Sequence, residues 1–289
     1  MAERERSSRR EVLLTAPAKL NLCLYLGPRR ADGLHELVSV FCPLSLADRI
    51  RVEPAEVDEV VCPGVEGPNL AAAALAGLRA RGWGRPPVRI EIEKHVPVAA
   101  GLGGGSADAG AVLRLARGEV EGLEEVAASL GADVPSQLEP APALVRGAGE
   151  RVEPLPALDA AGVVGIPFAN GLATAEVYAE ADRLGLGRGA DELVALTDEL
   201  RDAVASGGFP LVHPELVVND LEPAALSLRA EIADALEALR DAGAAAALVA
   251  GSGPTAVGLF ADAAAAREAA GPLPPRFADA FVASLESGS

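Results

Sequence analysis

The sequence predicts an α+β fold, and three observations carry that reading. Strand-like and helix-like segments follow one another without a regular βα alternation, which argues against a doubly wound parallel sheet. The chain has 289 residues, enough for one large domain or two small ones. Half of the residues are apolar while only 3% are aromatic, so a substantial core can be buried and Ala, Val and Leu must fill it.

Residues 11–26, EVLLTAPAKLNLCLYL, read as strand. Within them Leu20, Leu22, Leu24 and Leu26 alternate with Lys19, Asn21, Cys23 and Tyr25, a period of two that puts the leucines on one face and the polar set on the other. The turn-rich GPRRADGL at 27–34 precedes apolar strands expected near 37–44, 49–53 and 57–61. Asn69 is placed to cap a helix through about 81. A strand at 88–94 leads into PVAAGLGGGSADAG, and a helix runs on from about Ser106. LGADVP follows at 130–135, and two short strands flank GAGE at 147–150. The second half opens with a strand at 161–167, followed by helices near 174–184, 190–205 and 223–242. A strand, a tight glycine turn and a second strand occupy 245–260, a helix lies near 261–270, and a last strand near 277–284. The Pro-rich EPLPALD marks a boundary near 155, dividing the chain into domains 1–155 and 156–289.

A formal net charge of -17 argues against a nucleic-acid binder, which carries a basic patch or stripe. It also requires local positive potential wherever an anionic substrate is to bind. No apolar run approaches the roughly 20 residues of a membrane span. The start, MAERERSSRR, lacks the apolar core of a signal peptide and reads as a solvated tail. Cys23, Cys42 and Cys62 fall in no CxxC pair, so they form neither a zinc site nor a disulfide framework. They read as small core hydrophobes of a cytoplasmic protein. Of 25 basic residues only Lys19 and Lys94 are lysine. In so arginine-biased a chain, a lysine inside an apolar strand is a chemical clue.

The segment from Pro97 to Gly110 is the strongest such clue. Gly101, Gly103, Gly104 and Gly105 sit between a strand and a helix start. There, backbone N–H groups can approach a phosphate closely and the helix N-terminus adds partial positive charge. Ser106 could contact a phosphate or a bound magnesium. A flexible glycine loop is the alternative reading of this segment alone. The loop is not a Walker A loop, which needs GKS or GKT, nor a GxGxxG with its following acidic residue.

PVAAGLGGGSAD resembles the phosphate loop of the GHMP kinases, a family named for galactokinase, homoserine kinase, mevalonate kinase and phosphomevalonate kinase. PAKLNLCLYLGPRRADGLHEL at 17–37, LGADVP, GAGE, NDLE at 219–222 and GSGPT at 251–255 resemble, in the same order, the branch working in the non-mevalonate isoprenoid pathway. The resemblance spans most of the chain. It implies a two-lobed α+β fold with the active site in the cleft between lobes. It also implies an ATP-dependent kinase acting on a hydroxyl of a cytidine-bearing small molecule, with magnesium on the ATP. ATP would place its phosphates on Pro97, Val98, Ala99, Ala100, Gly101, Leu102, Gly103, Gly104, Gly105, Ser106 and Ala107. The resemblance makes Asp133 the base that takes the substrate proton and Lys19 the neighbour that holds it ionised. Without the motif order, a structural ion pair or two unrelated residues would serve as well. Asn21 and His35 match positions that line the site and bind the cytidine end. Thr174 and Tyr178, in TAEVY, match positions that touch substrate and stack on cytosine, although Tyr178 could equally be a core helix residue.

The chain departs from the family pattern at three positions. Leu34 stands in ADGLHEL where Tyr is usual, which removes one aromatic wall of the cytosine pocket. GGGSAD replaces the usual GGGSSN, so that Ala107 loses a hydroxyl and Asp108 adds negative charge near the phosphates. His95 and His213 have no constellation around them, and Asp220 and Glu222 of NDLE have no role readable from sequence. Two rivals remain at this level: a GHMP kinase of the homoserine or mevalonate type, and a non-catalytic nucleotide-binding protein on the same fold. ADGLHEL weighs against the first, and the intact Lys19, Asp133 and glycine loop against the second.

Overall fold

The computed structural model describes residues 11–286; the charged tail MAERERSSRR lies outside them. Two strands organise the chain. β1 (Val12–Arg29) and β2 (His35–Pro54) are much longer than the usual strand of about five or six residues. β2 unites two strands that the sequence reading placed separately at 37–44 and 49–53. It runs through Pro43, whose carbonyl accepts a hydrogen bond from Glu286 N at 2.8 Å. In β1 the alternating leucines are buried, and so are Lys19, Asn21, Cys23 and Tyr25 opposite them. Both faces of β1 are therefore covered over residues 19–26.

The chain divides into two units. The first comprises the described residues up to Ala18, Leu46–Val98 and Gly103–Glu139. In it the second half of β2 pairs antiparallel with β4 (Val88–Glu93), from Arg49 opposite Glu93 to Pro54 opposite Val88. β3 (Glu59–Val61) adds to β4 in parallel. Helices α1 (Leu70–Ala80), α2 (Gly104–Arg114) and α3 (Leu123–Leu130) share a core with the strands that includes Ile50, Val52, Leu75, Leu78, Ile90, Ile92, Val112 and Leu113. α1 starts where the sequence predicts, with the Asn69 side chain accepting from Ala71 N at 2.8 Å. α3 had no counterpart in the sequence reading. It has eight residues, of which only Val126 and Ala127 are buried, too short an apolar stripe to declare a helical period.

The second unit comprises Lys19–Ser45, Ala99–Leu102 and the chain from Pro140. Here the first half of β2 pairs antiparallel with β5 (Ala143–Gly147), which pairs with β6 (Arg151–Pro154). The strands β7 (Gly162–Ile166), β8 (Ala246–Val249), β9 (Ala256–Phe260) and β10 (Phe281–Ser284) form a four-stranded antiparallel sheet in the order β10-β7-β9-β8. With it go α4 (Thr174–Leu184), α5 (Ala190–Ser206), α6 (Glu222–Leu228), α7 (Ile232–Asp241) and α8 (Ala263–Ala270). The helix expected over 223–242 is thus two helices. The break falls at Arg229, where φ is -146, with its guanidinium donating to the Asn170 carbonyl and lying 5.9 Å from the Phe168 ring. A tertiary contact, rather than a glycine or proline, ends α6. The last strand is shorter than expected, because Pro275–Phe277 forms a 3-10 turn before it. Antiparallel pairing dominates both units, and the fold is the α+β class that the sequence predicts.

Candidate active site

In the first unit, β4 and α2 set up the glycine segment. Gly103 is the N-cap of α2, with φ 68, and no side chain caps the helix. The left-handed backbone suits glycine, and the uncapped N–H groups of the first turn are available to an anion. Pro97 and Ser106 are half-buried, Val98 and Gly105 exposed. Ala107 faces the core at 0% exposure, so a hydroxyl there would meet apolar groups. Asp108 does not act on the phosphate position as the sequence reading expects. Its side chain is 5% exposed and its Oδ2 pairs with Lys94 Nζ at 2.8 Å. Lys94 Nζ donates equally to Asp48 Oδ2, and the other Asp48 oxygen accepts from the backbone N–H groups of His95 (2.6 Å) and Val96 (2.8 Å). The ammonium would lie 3.2 Å from a Cβ at Gly104, so this buried cluster underlies the first turn of α2. Asp133 is half-buried in the turn before the 3-10 helix Pro135–Gln137. Val134 anchors that turn in the core, and the Ser136 hydroxyl donates to the Asp133 carbonyl at 2.8 Å.

In the second unit, β1 and β2 bring Lys19, Asn21 and Ser39 together. Lys19 Nζ donates to Asn21 Oδ1 at 2.5 Å and sits 4.5 Å from the Phe41 ring centroid. Asn21 Nδ2 donates to Ser39 Oγ at 2.9 Å, and Ser39 Oγ donates to the Cys23 carbonyl. All three side chains are buried, where an ammonium is tolerated only with partners of this kind. The Lys19 backbone N–H holds the Leu102 carbonyl at 2.9 Å, tying Ala99–Leu102 to β1. Ala99 has φ 53, a left-handed conformation costing about 1–2 kcal/mol for a residue with a Cβ. Ala100 and Leu102 are buried. Gly101 has φ +78, and a Cβ there would collide with the Ala250 carbonyl oxygen.

NDLE and GSGPT, which had no role at the sequence level, form the support behind this segment. Asn219 Nδ2 donates to the carbonyls of Val249 and Gly251, each at 2.7 Å. Glu222 Oε2 accepts from Val249 N at 2.9 Å. Asp220 accepts from Leu26 N and from the Arg188 guanidinium. The first element after the turn, β9, begins beyond Thr255, whose carbonyl accepts from Ala250 N at 2.8 Å. Cys23 and Cys42 are inert in this setting, since burial pushes both thiols up to about 12.

A second group in the same unit gathers on α4. Thr174, Tyr178 and Asp182 are four residues apart and share one helix face. His35 Nε2 pairs with Asp182 Oδ1 at 2.8 Å, and its ring lies 5.4 Å from that of Tyr178. Thr174 Oγ1 lies 3.0 Å from Ser252 Oγ of GSGPT. Leu34, next to His35, is 55% exposed. Sequence reasoning missed Asp48, Lys94, Ser39, Asp182 and Ser252. Only Lys94 left a signal, as the second lysine of the chain. His95 and His213 each meet a single exposed glutamate and join no cluster.

The order of these parts along the chain is that of a known class. Residues 69–138 match the GHMP kinases N terminal domain, and residues 194–279 match GHMP kinases C terminal. The chain is 42% identical over 271 residues to the 4-diphosphocytidyl-2-C-methyl-D-erythritol kinase of Streptomyces avermitilis, covering 87% of this chain and 89% of that protein. A crystal structure of a 4-(cytidine 5'-diphospho)-2C-methyl-D-erythritol kinase superposes with a TM-score of 0.79 at 36% identity, covering 96% of this chain and 100% of that one. A homoserine kinase from Cytophaga hutchinsonii shares the fold alone, at a TM-score of 0.72 and 17% identity over 96% of this chain and 95% of that one. The protein is therefore an ATP-dependent small-molecule kinase by class. It belongs to the GHMP kinase family, within the group of the 4-diphosphocytidyl-2-C-methyl-D-erythritol kinases.

The buried acid beneath α2 has a measurable signature. Burial raises the Asp108 carboxyl to about 7, against the opposing pull of Lys94. An unfolded aspartate ionises near pH 4. Between about 4 and 7 the folded chain therefore keeps a proton that the unfolded chain has released. Stability from this group falls as pH rises through that window and is level above it. Asp108→Asn, isosteric but unable to ionise, should gain at least about 1 kcal/mol on the wild type between pH 5 and pH 8. Urea unfolding at the two pH values measures it, and an equal difference at both would contradict the assignment.

Proposed function

We propose that the chain transfers the γ-phosphoryl group of ATP to the 2-hydroxyl of 4-diphosphocytidyl-2-C-methyl-D-erythritol, a step of isoprenoid precursor synthesis. The observation that carries this reading is near-full-length similarity to relatives of that name, with the glycine loop, Lys19 and Asp133 all in place. The division into an ATP-binding domain, 1–155, and a C-terminal domain, 156–289, is supported by the two family matches falling on either side of it. Among the described residues no helix is long and apolar enough to cross a membrane, which fits a cytoplasmic enzyme of small-molecule metabolism.

In this reading the ATP phosphates lie along residues 97–107, on the uncapped N–H groups of α2. Magnesium fits the donors available. It needs few protein oxygens when phosphates supply the rest. Ser106, in the first turn of α2, offers a hydroxyl, and the ion would neutralise charge on the transferring phosphoryl group. Asp133 takes the proton of the 2-hydroxyl. The freed oxygen forms its bond to the γ-phosphorus in line as the bond to the β-phosphate oxygen breaks, and ADP leaves. Lys19 holds positive charge on the face of β1 that it shares with Asn21, and the work of the protein is mainly positioning and charge neutralisation. His35, whose ring pairs with Asp182 and lies 5.4 Å from that of Tyr178, and Thr174 bind the cytidine end. Asn21 supports the Lys19 ammonium and lines the site.

A coupled assay of ADP release tests the function directly. Diphosphocytidyl-methylerythritol should support steady turnover, while homoserine and mevalonate should not. Turnover with either of those alone would move the chain to another branch of the family, and ATP binding without turnover on any alcohol would make it a non-catalytic binder. In the same assay Asp133→Asn should lower kcat by roughly 10²–10⁴-fold, the share of general-base catalysis, with substrate binding kept. Near-wild-type turnover would show that another group is the base. Leu34→Tyr should lower KM for the cytidine substrate with little change in kcat. The restored ring can stack on the base, an interaction worth about 1–3 kcal/mol in nucleic-acid binders. An unchanged KM would show that the base does not approach residue 34.

A further inference from the structure

We propose that Arg114 and Gly110 of α2 are positioning residues for Asp133: the helix that carries the phosphate-binding turn at its start also clamps, farther along, the turn that bears the base. The inference rests on the reading of Asp133 as the base. Arg114 is half-buried, and its guanidinium donates to two backbone carbonyls, Gln137 O at 2.6 Å and Thr15 O at 2.7 Å. Among the described residues it forms no ion pair with a carboxylate, and burial lowers its pKa to about 10. A half-buried cation with no carboxylate partner gives up hydration and gains nothing from ion pairing. What the planar fork supplies here is geometry, two carbonyls held at fixed places by one rigid group.

Gly110 lies one helical turn before Arg114, on the same face. A Cβ at Gly110 would come 2.5 Å from Gln137 Cβ and 2.6 Å from Gln137 O. Helix and turn therefore meet backbone to backbone, at a distance only glycine allows. The turn itself is internally tied. Val134 N bonds to Gly131 O at 3.2 Å, Gln137 N to Val134 O at 3.0 Å, and the Ser136 hydroxyl to Asp133 O at 2.8 Å. Gln137 is 2% exposed, so a displacement at Gln137 is carried to Asp133. The six residue steps from Gly104 to Gly110 span roughly 9 Å of helix, a rigid spacer between the first turn of α2 and the turn of the base.

The test is a double-mutant cycle with diphosphocytidyl-methylerythritol and magnesium-ATP, using Arg114→Met, Arg114→Lys, Asp133→Asn and the combinations of Asp133→Asn with each Arg114 variant. Folding is followed by circular dichroism. Arg114→Met should lower kcat on the order of 10–100-fold, the scale of an ångström-size misplacement, with KM for ATP within about twofold of wild type. Arg114→Lys, which keeps a cation and can still reach Gln137 O, should recover part of the loss. In the Asp133→Asn background the Arg114 substitutions should cost nothing further, because there is no base left to place. A folded Arg114→Met with wild-type kcat, a rise in KM for ATP in place of the kcat loss, or an undiminished loss in the Asp133→Asn background would each overturn the inference. If Arg114→Met does not fold, the Arg114→Lys cycle decides by the same criteria. Full turnover by Asp133→Asn alone removes the base reading and the inference with it. An inactive Asp133→Asn beside a fully active Arg114→Met removes the inference only.

Discussion

A helix entrance can hold a phosphate only if nothing of the protein's own already fills it. α2 meets that condition with Gly103 at its N-cap and no capping side chain, and the surrounding structure follows from the consequence. A glycine cap forgoes roughly a few tenths of a kcal/mol of local stabilisation and the side-chain contact that would fix its approach. Both must be made good from outside the turn. In the first unit the Lys94–Asp48–Asp108 cluster lies under Gly104 and binds the strand end to the helix. Gly101 has support of its own within the second unit, where its backbone is pressed on the Ala250 carbonyl and Asn219 and Glu222 hold the residues around Ala250 from behind.

The chain's two lysines share a chemistry. In a sequence whose 25 basic residues are otherwise arginine, Lys19 and Lys94 both belong to buried networks beside the glycine segment. A compact ammonium divides its three donors among close acceptors, whereas a guanidinium needs a flat slot and a paired acceptor geometry. Lys94 serves two aspartates at once, and Lys19 serves Asn21 while resting against Phe41. Arg114 and Arg188 mark the opposite case. There a planar fork spans two acceptors, and arginine is present.

What was legible in the sequence was what short-range physics specifies. Asn69 before an apolar run and the alternating leucines of β1 produced the elements expected, and α4 lies where a helix was expected. The glycine segment was legible as a helix entrance, and Gly103 stands at the N-cap with no capping side chain. What escaped was set by partners distant in the chain. Asp108 looked like added charge beside the phosphates until Lys94 and Asp48, 14 residues from Asp108 and 46 residues from Lys94 respectively, were found to enclose it. Asp182 reads as an ordinary helix-surface acid, and its role with His35 depends on a separation of 147 residues. The interruption at Arg229 likewise arises from Asn170 and Phe168, with no local breaker to announce it.

The central claim is that ATP phosphates rest on the open entrance of α2. The most direct measurement compares ATP affinity in Gly103→Asp and Gly103→Asn by titration calorimetry. The two side chains have the same size and both tolerate the left-handed backbone at this position, so strain is common to both and only charge differs. A carboxylate a few ångströms from the phosphates should weaken ATP binding on the order of 10–100-fold relative to the amide, and added salt should narrow the gap. Equal ATP affinity in two folded variants would contradict the account, because the phosphates would then lie elsewhere.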